Sequence, residues 1–186
     1  MAYYRGFKAE AERLAVETRK EIGLTEYQQL NPRALAGHLA IPVLTLGDLE
    51  AHEPGMGKAL RVLHGNQASS FSGLTLFVGS RRAAIVHNEA HTLGRQASDI
   101  GHELSHGLLM HPPAPLHDGR GCRKWNSDHE DEANFLAGAL LIPAKAAWGL
   151  AKRRTSLEEA AWQFGCSVEM VRWRINVTGA RRLLAG

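Results

Sequence analysis

Cysteine is nearly absent: Cys122 and Cys166 are the only two in 186 residues, and they form no CxxC pair. A disulfide framework and a cysteine-ligated zinc site are therefore excluded, and a reducing, cytoplasmic setting is the expectation. Long hydrophobic runs are missing too. No stretch approaches the roughly 20 apolar residues of a membrane span. Met1 through Gly23 are interrupted by Arg5, Lys8, Glu10, Glu12, Arg13, Glu17, Arg19 and Lys20, unlike a secretory signal. The net charge is only +3, and its imbalance sits in residues 151–186, where seven Lys or Arg face three Glu. A solvated face is the plainer reading of such an excess than a nucleic-acid surface. Repeats and low-complexity tracts are also lacking, and a chain that is 44% hydrophobic can bury a core of its own.

What is present reads as an α+β chain. Phe7, Ala11, Leu14, Ala15, Thr18 and Ile22 recur at helical spacing and stop at Gly23. Asn31 caps a second helix with Pro32 in its first turn and Leu35, Ala36 and Leu39 as its buried stripe, before an extended run from Ile41 to Leu46. The stretch around Ala59 to Leu63 is punctuated by Gly55, Gly57 and Gly65. Leu74 to Val78 and Ala83 to His87 alternate as two strands of a hairpin. Helices follow over Arg95 to Met110 and Asp128 to Ile142, with a Pro-, Gly- and charge-rich loop between them that ends near Asn126. Leu157 to Phe164 and Val168 to Val177, separated by Gly165, form a closing pair of short helices.

The chemistry concentrates in His102-Glu103-Leu104-Ser105-His106, an HExxH sequence inside a helix. Residues four apart share a face, so both imidazoles can reach one ion, while Glu103 is offset to take a proton from a water that zinc acidifies. Chance supplies such a pentapeptide at a rate on the order of a few per cent in this composition. Ala97, Ile100, Leu104, Leu108 and Leu109 lower that chance by anchoring other sides of the helix in a core.

A catalytic zinc site needs a third protein ligand. The metzincin pattern would place glycine and histidine where Leu109 and Pro112 stand, and is excluded. The gluzincin pattern draws a glutamate from the next helix, and Glu130 is favoured over Glu132. Asn134, one turn beyond Glu130, can hydrogen-bond a ligand histidine, whereas Leu136 in the corresponding place beyond Glu132 cannot. The competing reading is that Ser127 and Glu130 form a capping box.

HELSH followed by the Glu130 to Pro143 segment resembles the ImmA/IrrE family of metallo-endopeptidases. Supporting pieces are Arg5 to Glu12, Ser72 to Thr75, Ile85 to Asn88 and Phe164 to Ser167. The resemblance implies a zincin-like domain with a small β-sheet and active-site helices over residues 1–150, and a helix-turn-helix-like module over 151–186. It implies His102, His106 and Glu130 as ligands of zinc, with manganese as the alternative ion, and Glu103 as general base. It implies a protein substrate, a helix-turn-helix repressor or antitoxin of Xre type. The rival reading is a DNA-binding regulator or toxin-antitoxin component whose metal site is structural or vestigial.

By order in the chain, Ala83 to His87 is the expected edge strand for an extended substrate, with Asn88 at its end to hold a substrate amide. His91, Arg95, His111 and His117 are the candidates for stabilising an oxyanion, each with a structural role as the plainer alternative. In the tail, Ser156 and Ser167 are placed to cap the two helices. A DNA role would rest on Arg172 and Arg174, but Arg174 falls where a helix-turn-helix buries an apolar residue, and a packing or protein-recognition role is favoured. Trp162 and Trp173 read as core or interface anchors, with core the favoured reading.

Overall fold

The computed structural model describes residues 3–52, 55, 71–79, 81–113 and 126–184. The stretch around Ala59 to Leu63, His117 and Cys122 lie outside them. Helix α1 (Phe7–Glu21) ends in a left-handed turn at Gly23, and α2 (Pro32–His38) starts on the Asn31 cap, whose side chain accepts from the Arg33 amide. Strand β1 (Val43–Thr45) is shorter than the expected run, because Thr45 and Asp48 exchange hydrogen bonds as a capping box and start α3 (Leu46–His52). Glu89 also accepts from the amides of Leu46 and Gly47 at that helix start.

Strands β2 (Gly73–Val78) and β3 (Arg81–His87) form the expected antiparallel hairpin. β1 adds in parallel to the other side of β3, giving the order β1-β3-β2. The second half is helical: α4 (Leu93–Leu108), α5 (Ser127–Leu141), α6 (Ala144–Lys152), α7 (Leu157–Phe164), α8 (Val168–Val177) and a 3-10 turn at Ala180–Leu184. Pro143 both ends α5 and opens α6, as its fixed φ allows.

The core is built around α5, which is apolar on nearly every side: Ala133, Phe135, Leu136, Ala137, Ala139, Leu140 and Leu141 are all buried. It packs on α1, α4 and α8. A Cβ on Gly138 would lie 2.4 Å from the Trp173 ring and 2.7 Å from Arg174, so only glycine lets α8 cross that close. Two buried arginines finish the C-terminus of α5, where helix carbonyls lack partners. Arg19 donates to the Leu140 carbonyl and Arg174 to that of Ile142. Burial lowers the pKa of both, to about 10 for Arg19.

One buried cluster runs from Phe7 through Ile100 and Leu140 to Phe164, Val171 and Ala180. The expected boundary at 150/151 falls inside α6, between the buried residues Leu150 and Ala151. No single helix among the described residues is long and apolar enough to cross a membrane. α5 and α6 together have the composition, but they are bent by 59° and their apolar side chains fill the core.

Candidate metal centre

Helix α4 begins two residues earlier than its expected start, capped by Thr92, and is anchored by buried Ile100 and Leu104. Its other face turns His102 and His106 toward α5, with their Nε2 atoms 3.0 Å apart. At the start of α5 the cap is Asn126, whose side chain accepts from the amides of Asp128 and His129. The competing capping box of Ser127 and Glu130 does not form, because Ser127 is already inside the helix. Glu130 instead reaches across to α4, with Oε2 3.1 Å from His102 Nε2 and Oε1 3.5 Å from His106 Nε2.

These three side chains fit a zinc ion. One ligand atom from each lies within 4.8 Å of the others. Tetrahedral zinc with donors at about 2.0–2.1 Å spaces neighbouring donors about 3.3 Å apart, close to the separations here. The Nδ1 atom of His102 is held by Asn134 Oδ1 at 3.0 Å, so its Nε2 faces the other two donors. When a proton instead of a metal bridges these atoms, the rings and the carboxylate hold it between them. Burial raises the Glu130 carboxyl, but hydrogen bonds from His102 and His106 outweigh it and bring it down to about 2. Burial lowers His102, and its bond to Glu130 with the nearby Glu103 charge turns the net shift upward.

Glu103 lines the same cleft of about 880 Å³ as the three donors. Thr75 Oγ1 on β2 donates to Glu103 Oε2 at 2.6 Å and fixes its direction. The Ser72 to Thr75 segment marks the right strand, but nothing local in it announces this partner 28 residues away. Phe71, Gly73 and Phe77 form the strand-side wall of the cleft.

Asn88 is placed otherwise than expected. β3 is the central strand, paired on both sides; among the described residues β1 and β2 each have an unpaired side, and of these two β2 lines the cleft. Asn88 is buried, donates to the Phe71 carbonyl and accepts from the Ala90 amide, so it fastens a turn and offers nothing to a substrate. His91 pairs with Asp99, and Arg95 donates to Ser72 Oγ. His111 is buried between His106 and Glu132; burial first, then the His106 charge, pushes its imidazole down to about 4. Neither nitrogen of His111 is aimed at an oxyanion.

In the tail, Ser156 and Ser167 cap α7 and α8 as expected. Arg174 is fully buried and paired with Glu12 of α1, so it cannot reach nucleic acid; Arg172 is exposed. Trp173 packs on Phe135, but Trp162 is 84% exposed and anchors no core.

Two imidazoles and a carboxylate converging at the floor of an open cleft, with a further acid beside them, are the donor set and layout of a metallopeptidase-type centre. The family model described as the IrrE N-terminal-like domain, Peptidase M78, matches residues 61–176, and the chain belongs to that family. The family resemblance carried by HELSH and the Glu130 helix is thereby borne out, as is the α+β fold. Neither the curated proteins nor the solved structures contain a significant match.

Proposed function

We propose that the protein is a zinc-dependent endopeptidase that hydrolyses a peptide bond in a protein partner. The observation that carries this reading is the meeting of His102, His106 and Glu130 in one cleft beside a Glu103 already oriented by Thr75. His102, His106 and Glu130 would hold the zinc, which when bound would supply a Lewis acid for the scissile carbonyl and acidify the attacking water. Glu103 takes that proton on its carboxylate and passes it to the leaving amide nitrogen. An extended substrate runs along the outer side of β2, where backbone groups pair with it and Phe71 and Phe77 border its side chains.

The substrate class proposed from the family resemblance is an Xre-type repressor or antitoxin, acted on in the cytoplasm, with manganese as the alternative ion. The DNA-binding alternative draws on the short helix pair around Gly165 and on exposed Arg172. A burial-locked Arg174 and an acid oriented beside the metal ligands support the peptidase reading instead.

The test incubates the purified protein with the product of its neighbouring gene, with and without a chelator, beside Glu103→Gln. Zinc-dependent cleavage that Glu103→Gln loses, while still binding zinc, is the expected result. Cleavage surviving both treatments overturns the mechanism.

A further inference from the structure

Beyond the three ligands, a line of polar side chains leads away from His106. Its Nδ1 lies 2.9 Å from Nδ1 of His111, and Nε2 of His111 lies 3.0 Å from Glu132 Oε2. His111 is 8% exposed, so these partners define its hydrogen bonding. Its position is set by the backbone. α4 ends with Met110 in the left-handed region at φ 55°, the Met110 amide bonded to the Gly107 carbonyl and the His111 amide to that of His106. Arg82 on β3 donates to the carbonyls of both His106 and His111, at 2.7 and 3.0 Å, clamping the turn. The His129 ring stacks on His111 with centroids 4.3 Å apart.

The direction of this line follows from donor chemistry. An ionised carboxylate only accepts, so His111 Nε2–H donates to Glu132. The Nδ1 of a neutral His111 is then an acceptor, and Nδ1–H of His106 donates to it. His106 is left with its Nε2 lone pair facing His102 and Glu130, the same tautomer that Asn134 imposes on His102.

We propose that His111 and Glu132 are positioning residues for the metal centre: a carboxylate-imidazole relay that holds His106 in the Nε2-ligating tautomer and orientation. The proposal rests on the metal-ligand reading of His102, His106 and Glu130. Nothing about the spacing of His111 and Glu132 in the chain discloses it, because the left-handed turn at Met110 folds the relay together.

The test measures the affinity of the full chain for Zn2+ by competition with a chromophoric chelator, together with the melting temperature of each metal-free variant. His111→Ala is expected to weaken zinc binding about 10- to 100-fold. Glu132→Ala acts through His111, so the double variant should weaken binding no further than His111→Ala alone. His111→Gln, whose amide oxygen can accept from His106 and whose amide hydrogens can reach Glu132, should recover much of the affinity. Wild-type affinity in His111→Ala overturns the relay, and so do losses that add in the double variant. A loss in His111→Gln matching that in His111→Ala overturns it too, because the lost group would then be something other than the bridging acceptor. His102→Ala separates the two levels of the argument. If it abolishes zinc binding while His111→Ala does not weaken it, only the relay fails; if it too binds like wild type, the metal-site reading fails.

Discussion

The pair Arg174 and Glu12 offers a quantitative test of how the last helices are held. Arg174 is fully buried, its Nη2 is 2.5 Å from Glu12 Oε1, and its Nε donates to the Ile142 carbonyl at 2.8 Å. Glu12 also accepts from the Ala144 amide at the start of α6, so one carboxylate joins α1, α6 and α8. Removing that charge by Glu12→Gln leaves a fully buried guanidinium without its counter-ion, which costs about 3–5 kcal/mol. Removing the guanidinium by Arg174→Met is cheaper. Glu12 keeps 22% of its side chain exposed and can be rehydrated, and the main loss is the Ile142 carbonyl's partner, about 1–3 kcal/mol. The double variant should resemble Arg174→Met, because no buried charge remains to be stranded. Urea denaturation followed by tryptophan fluorescence, all in chelator so that zinc binding does not shift the midpoints, reads these differences. If Glu12→Gln costs no more than Arg174→Met, or the two effects add, the pair is not the clasp described here.

Three further outcomes follow from single contacts. Thr75→Val removes the hydrogen bond to Glu103 and should lower kcat about tenfold or more with zinc content unchanged; an unaltered kcat would show that Glu103 needs no such guide. Met110 is 84% exposed and adopts φ 55°, so Met110→Gly should relieve strain and raise stability by about 0.5–1 kcal/mol in thermal or urea unfolding, and a destabilised variant would contradict this. His87 is buried with Nε2 accepting from Arg33; burial first, then the Arg33 charge, lowers its pKa, and Glu89 and Asp99 offset only part of this. Its folded form resists protonation while the unfolded chain takes up the proton below about pH 6.5, so stability is lost as pH falls, by up to about 1.4 kcal/mol per unit from this one group. His87→Gln keeps an acceptor but cannot titrate, and its stability should fall less between pH 7 and 5.5; matching slopes would refute the assignment.

What could be read in advance was local. Asn31-Pro32, Ser156, Gly165 and Ser167 act on the residues beside them, and the helices they bound appear where those residues place them. Two helices escaped despite local signals: Thr45 and Asp48 form the capping box of α3, and Pro143 starts α6 as well as ending α5. Helix α4 starts at Leu93, ahead of the expected Arg95, and takes Gly94, a residue of low helix propensity, into its first turn. A Cβ there would lie 2.7 Å from the Cys166 backbone, so that glycine is set by tertiary contact and not by a turn.

The larger departures share one cause, which is pairing between residues distant in the chain. Order along the sequence makes Ala83 to His87 look like an edge strand, but β1 arrives from about forty residues upstream to cover it, and Asn88 is buried with it. Charge counting puts Arg174 in a solvated face while helix-turn-helix spacing favours packing, and the partner that decides it, Glu12, stands 162 residues away. The centre itself depends on the same kind of pairing. HExxH fixes two donors four residues apart, but the aim of Glu130 depends on Asn126 taking the helix cap, and the direction of Glu103 depends on β2 lying beside α4. A motif can therefore name the atoms of such a centre, whereas their convergence is a property of how the two helices and the hairpin are packed.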